Sequence, residues 1–182
     1  ADHLERYALL GHGKIEQAAV SPDYQLIAAT STIGVLFFDA TTLERVNLLE
    51  PAQTAHSIAF TPDGTKIAVS MPHPNILEDK SERITAVEIW DLKTGQKIDR
   101  FEDYSEFWDI RALKFHPDGC ELIDWGTTVH NICGNPPIKK TAGDWRTPSA
   151  VISPDGTRAL AWDQGWFLWD VQTSKMIRPI LL

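Results

Sequence analysis

The stretch "SPDGTRALAWDQGWFLWD", residues 153–170, decides the fold. It holds a tight-turn signal, two alternating apolar runs and three tryptophans. Pro sets φ for a turn, Asp bonds its own backbone and Gly tolerates positive φ, so Pro-Asp-Gly closes a hairpin between the strands on either side. The same signal recurs as "SPDY" at 21–24, "TPDG" at 61–64 and "HPDG" at 116–119, each after a short apolar run. The Trp-rich stretch is therefore one of four units, and an internal repeat governs the reading of the chain.

With the turn prolines as a ruler (Pro22, Pro62, Pro117 and Pro154), the steps are 40, 55 and 37 residues. The same four pieces surround each mark. An apolar strand precedes the turn: "IEQAAVS", "HSIAFT", "IRALKFH", "PSAVIS". A second follows: "YQLIAAT", "TKIAVSM", "CELIDW", "TRALAW". The third is "IGVLFFD", "TAVEIWD", "TVHNIC" or "GWFLWD", and a polar fourth closes the unit: "LERVNLLE", "QKIDRFE", "IKKTAG", "SKMIRPIL". These pieces are short, rich in β-branched and aromatic residues and bounded by Gly, Pro, Asp and Thr, and no stretch sustains a helical period. The fold class expected is all-β, built of four-stranded antiparallel blades. The long second step comes from an insertion at 71–84 between the second and third strands of unit two, and from a longer linker at about 102–109. The expected division is 1–13 as a spare outer strand and linker, 14–50 as blade 1, 51–102 as blade 2, 103–142 as a degenerate blade 3 and 143–182 as blade 4.

The Pro-Asp-Gly turns, the third strands ending "IWD" at 89–91 and "LWD" at 168–170, and "LLGH" at 9–12 resemble the WD-repeat (WD40-type) family of β-propellers. The resemblance covers essentially the whole chain, is weakest in unit three, and in unit one is similar to the N-terminal blades of bacterial proteins of this type. It implies blades arranged around a channel, with the rings of Trp90 and Trp169 buried between blades, and with His12, Asp91 and Asp170 as structural blade residues. Two departures stand out. Unit one ends its third strand in Phe38-Asp39, and unit three offers Ile132-Cys133 with no Asp. Polar networks within blades are therefore expected to be sparse. Rings of this family usually hold about six to eight blades, so four blades plus the spare strand "LERYALLGHG" at 4–13 imply part of a larger propeller, or a ring completed by another copy or subunit.

Composition narrows the function. The chain carries 17 Lys and Arg against 25 Asp and Glu, a formal charge of −8, which repels phosphate backbones and disfavours nucleic acid or an anionic membrane as partner. No apolar run approaches the roughly 18–20 residues of a spanning helix. The chain opens on Ala1 rather than Met, and with no signal segment visible at its start the compartment stays open, the cytoplasm being favoured slightly over export. None of the six His pairs with another at metal-ligand spacing, the loop trio His73, Glu78 and Asp79 is only faintly metal-like, and no nucleophile or phosphate-loop motif occurs. The reading is a non-catalytic protein-interaction scaffold without cofactor or metal. A structural subunit that completes a ring through its blade edges, and an enzyme with residues converging on the channel, stand as alternatives.

Candidate contacts for a protein partner lie in the linkers. "EDYSEFWD" at 102–109 brings four carboxylates and three aromatics, and "GDWRTPS" at 143–149 adds Trp145 and Arg146. Aromatic anchors in a charged surround suit an interface, which singles out Tyr104, Glu106, Phe107, Trp108, Trp145 and Arg146. Trp162 and Trp166 are expected to face each other across a "DQG" turn. In unit three, a two-residue Gly126-Thr127 loop would pair Trp125 with Thr128 and set Cys120 opposite Cys133, within reach of a disulfide; two buried thiols are the alternative.

Overall fold

The computed structural model describes residues 13–51, 54–72, 83–105, 113–124, 128–134, 139–141, 149–155, 157–162, 165–170, 173 and 175–180. All regular structure among them is β-strand. Blade 1 comprises β1 (Ile15–Val20), β2 (Leu26–Ser31), β3 (Gly34–Asp39) and β4 (Arg45–Leu49). Blade 2 comprises β5 (Ser57–Phe60), β6 (Lys66–Pro72), β7 (Arg83–Asp91) and β8 (Gln96–Ser105). Blade 3 comprises β9 (Leu113–Phe115), β10 (Glu121–Asp124), β11 (Thr128–Asn131) and β12 (Lys139–Thr141); blade 4 comprises β13 (Ser149–Ile152), β14 (Arg158–Trp162), β15 (Trp166–Asp170) and β16 (Lys175–Ile180). Each is a separate antiparallel sheet with its strands in sequence order. The expected spare strand lies outside the described residues.

The blades stack face to face through alternate residues, as the period of two requires. On the second and third strands of blade 1, Ala28 and Phe37 face blade 2 and join Ile58, Ile67, Val69, Met71 and Ala86 in one core. Phe37 and Phe60 meet there edge to face at 6.4 Å. On the opposite side of blade 2, Ala59, Ala68, Val87 and Ile89 pack against Leu113, Phe115 and Leu122 of blade 3. The innermost strands β1, β5 and β9 adjoin in turn. Gln17 ties two of them, its Oε1 accepting from the Ile58 N–H at 2.8 Å. Ser57 pairs with Ser70 at the matching place in blade 2. Its buried hydroxyl has no hydrogen-bond partner among the described residues, and a serine side chain is too short to copy the bridge that Gln17 makes.

One charge is buried in this packing. Glu88 of β7 shares a face with Ala86 and Trp90 and is fully enclosed. Lys97 and Arg100 of β8 reach Oε1 at 3.0 and 2.9 Å, and the Trp90 indole N–H donates to Oε2 at 3.2 Å. A buried carboxylate is tolerable only with such pairing. The "VEIWDLKTGQKIDR" pattern contains every member, but no sequence signal separates this Glu from a solvent-facing one.

Two expectations are corrected. The insertion expected at 71–84 is shorter, because Met71 and Pro72 continue β6 while Arg83 and Ile84 begin β7. Ladder pairing carries β8 to Ser105, past the boundary expected at 102, and puts Tyr104 in a strand, opposite Ile84, rather than in a linker.

Candidate functional site

Because neighbouring strands alternate in direction, each blade has a turn end and a loop end. The turn end carries the first-to-second and third-to-fourth strand turns. The loop end carries the second-to-third connections and the links between blades.

At the turn end the carboxylates close turns. In blade 1 the Ser21 hydroxyl donates to Asp23 at 2.6 Å and accepts from the Leu26 N–H at 2.9 Å. Thr61 repeats both bonds with Asp63 and Lys66, and Ser153 repeats them with Asp155 and Arg158. In blade 3 His116 stands in for the hydroxyl residue, its ring nitrogen 3.0 Å from Asp118. A second set closes the next turn. Asp39 accepts from the N–H groups of Thr41 and Thr42, Asp91 from the N–H and hydroxyl of Thr94, and Asp170 from those of Thr173.

Hydrogen bonds to the ionised form lower a carboxyl pKa. The Ser153 hydroxyl, followed by the Thr157 N–H, brings Asp155 down to about 2. The hydroxyl of Ser21 chiefly lowers Asp23, and that of Thr61 chiefly lowers Asp63. Backbone N–H donors are the main cause at Asp39 (Thr42), Asp91 (Thr94) and Asp118 (Cys120). All six are anionic at neutral pH, and the Oδ1 of each accepts within its turn. Among the described residues, this polar bonding is local to the turns.

The register corrects the reading of unit three. Asp39, Asp91 and Asp170 pair with Leu26, Lys66 and Arg158, each four residues beyond its turn proline. The equivalent residue in blade 3 is Glu121, and its partner is Asn131. Asn131 Oδ1 accepts from the N–H groups of Cys133 and Gly134 at 3.0 and 2.9 Å, as Asp39 does from Thr41 and Thr42. The ring before it is His130, buried and stacked on Phe101 of blade 2 at 4.1 Å. His130-Asn131, not Ile132-Cys133, therefore holds the place of Trp90-Asp91 and Trp169-Asp170. A rule that looks for Trp-Asp misses it; a rule that looks for a ring followed by an acceptor finds it.

That register also moves the cysteines. Glu121 pairs with Asn131 and Ile123 with Val129, so β10 and β11 join through residues 125–127 rather than a two-residue loop, and Ile132 binds the Cys120 carbonyl. The Asn131 cap then bends the chain out of the ladder and returns Cys133 to Cys120. The two form a disulfide, with Cα atoms 5.1 Å apart, that staples the two turns of the blade with the shortest strands.

Of the other expected site residues, Trp90 is half-buried against the core between blades 1 and 2, and half-buried Trp169 pairs with the buried Ala159. Trp162 and Trp166 pair as expected. Glu106, Phe107, Trp108, Trp145, Arg146 and His12 lie outside the described residues, as do His73, Glu78 and Asp79. The strand ends that flank 73–82, 106–112 and 142–148 all belong to the loop end. Among the described residues, no group of acidic, His or Cys side chains has the arrangement of a metal site.

No protein-family model and no curated protein matches the chain. Solved structures do match. The β-propeller domain of Cps50 (Swd1) from Myceliophteria thermophila aligns with 96% of this chain and 57% of its own, at a TM-score of 0.72 and 13% identity. The chain has the fold of β-propeller blades. Hydrazine synthase of Kuenenia stuttgartiensis aligns over 98% of this chain and 52% of its own (TM-score 0.66, 16% identity). The dihydro-heme d1 dehydrogenase NirN aligns over 94% and 37% (TM-score 0.65, 17% identity). This propeller segment thus spans between 37% and 57% of these chains. At such identities the likeness shows fold alone, and two of the three are enzymes by name.

Two measurements check the turn end. Folding lowers these Asp pKa values, so the unfolded chain binds more protons as pH falls from the ordinary 3.8 towards the value near 2 at Asp155. Their stabilisation is complete above about pH 4 and is lost through the window down to about pH 2, which thermal melts across pH will show as a falling midpoint there. Replacing both Cys120 and Cys133 by Ser, or adding a reductant, opens a loop of sequence separation 13. Chain-entropy arguments put the loss at about 3 kcal/mol. An unchanged melt, or an intact mass that reductant does not raise by two hydrogens, contradicts the staple.

Proposed function

We propose that the chain is a WD-repeat-type scaffold for protein binding, without chemistry of its own. The observation that carries this reading is where the carboxylates go. Among the described residues, Asp23, Asp39, Asp63, Asp91, Asp118, Asp155 and Asp170 close turns, and Glu88 is enclosed with Lys97 and Arg100. General acid–base chemistry needs a group free to meet substrate with its pKa near the working pH; the shifted Asp groups move away from that range. The partner is assigned to the loop end, through Tyr104, Glu106, Phe107, Trp108, Trp145 and Arg146. β7 and β8 run past Ala86, the level at which β3 begins in blade 1, and end at the Arg83–Ser105 pair. The blade 2 hairpin thus extends further at that end, with Tyr104 opposite Ile84 in its ladder. The acidic balance points to a protein partner rather than nucleic acid.

A second reading, assembly through blade faces, is favoured by blade 4. Leu160 and Leu168 pair there and hold the places of Ala28–Phe37 and Ala68–Ile89. Those four are essentially buried, whereas Leu160, Leu168 and the neighbouring Trp166 are only half-buried. That face suits another blade, from a second copy or a different subunit.

One experiment separates the readings. With both Trp108 and Trp145 changed to Ala, the scaffold reading expects loss of partner capture from native extract at unchanged molecular mass in light scattering. Undiminished capture sinks it. A native chain that is a clean monomer argues against the assembly reading.

A further inference from the structure

Two side chains of blade 1 sit where the backbone asks for glycine. In blades 1 to 3 the first turn ends on a residue whose N–H binds the carbonyl three positions back: Tyr24 to Ser21, Gly64 to Thr61, Gly119 to His116. All three have positive φ, 61°, 69° and 74°. The third-to-fourth strand turn repeats the demand. Leu43 binds the Asp39 carbonyl at φ 58°, and Gly95 binds that of Asp91 at φ 67°. An L-residue with a Cβ is disfavoured in this region, which blades 2 and 3 meet with glycine. Blade 1 puts a tyrosine and a leucine there instead.

Burial does not repay the strain. Tyr24 is 77% exposed and Leu43 43% exposed. Strain retained without packing gain is a mark of a functional surface. The two turns adjoin, since the Ala40 N–H binds the Gln25 carbonyl. Their segments, "SPDYQ" at 21–25 and "DATTLE" at 39–44, contain Asp23, Asp39 and Glu44 and no Lys or Arg; the first base is Arg45, at the start of β4. The turn of blade 2, with Asp63, lies against Pro22, whose Cδ is 3.6 Å from where a Cβ on Gly64 would be.

We propose that Tyr24 and Leu43 form a docking surface at the turn end of blade 1 for a basic protein segment that carries apolar side chains. The tyrosine ring and leucine supply desolvated contact area, and arginine can stack on a tyrosine face. The carboxylates of Asp23, Asp39 and Asp63, held as anions by their turns, supply the attraction that selects a basic partner. This surface is at the opposite end of the blades from the loop-end contacts proposed above, and stands or falls separately from them.

The test uses the full chain and a short fluorescent peptide alternating Arg and Leu, with a Glu-for-Arg peptide as control. Native protein is expected to bind the basic peptide saturably, more weakly as salt rises, and not the acidic one. Tyr24→Gly combined with Leu43→Gly leaves the net charge unchanged. It should weaken binding by at least about tenfold while the melting temperature holds or rises, the reverse of a merely structural pair. Tyr24→Asn with Leu43→Asn, also tolerant of positive φ, should behave alike. Equal affinity in either double variant, or no saturable binding by the native chain, overturns the proposal.

Discussion

The acceptor side chain that ends the third strand of each blade is the constraint on which the rest depends. Asp39, Asp91, Asn131 and Asp170 each take N–H groups from the turn that follows and stop the strand there. Because side chains in a strand alternate between faces, fixing the last residue fixes the face of every earlier one. The residue before the acceptor is Phe38, Trp90, His130 or Trp169, and in blades 2 and 3 it packs towards the preceding blade. The residue before that packs towards the next blade, as Phe37 and Ile89 do. A slip of one residue would turn the apolar set of either side away from its core.

The architecture was legible because turn chemistry punctuates it. Pro-Asp turns at near-regular intervals, and apolar runs too short for helices, marked out four blades without any contact being known. Blade 3 resisted because its markers are chemical analogues. His130 replaces an aromatic ring and Asn131 replaces an Asp acceptor, so a search by residue name slid two positions to Ile132-Cys133. The cysteine pair was found for a reason that needed correcting. The loop is longer than expected, and it is the Asn131 bend, not direct opposition, that brings Cys133 to Cys120. Glu88 was invisible because its enclosure depends on Trp90, Lys97 and Arg100 closing over it, and an alternating strand pattern does not tell a capped carboxylate from a solvent-facing one.

The same turns shape the functional reading. Serial capping leaves the turn end anionic, with Asp carboxylates that hold the backbone of the turns. The loop end has the opposite character: connections of uneven length, a longer β7–β8 hairpin, and the aromatic and charged residues of the linkers. Blade 4 adds a half-buried apolar face beyond Leu160 and Leu168, where the pattern of the other blades calls for a neighbour.

The most direct test of this account is the role of Asn131. In a background with Cys120 and Cys133 both changed to Ser, so that the staple cannot mask the effect, thermal unfolding of Asn131→Asp and Asn131→Ala should be compared. The account predicts that Asp, an acceptor of the same length, melts with the parent, while Ala loses about 1 kcal/mol as the Cys133 and Gly134 N–H groups lose their acceptor. An Ala variant as stable as the parent would contradict the claim that an acceptor at this position closes the third blade.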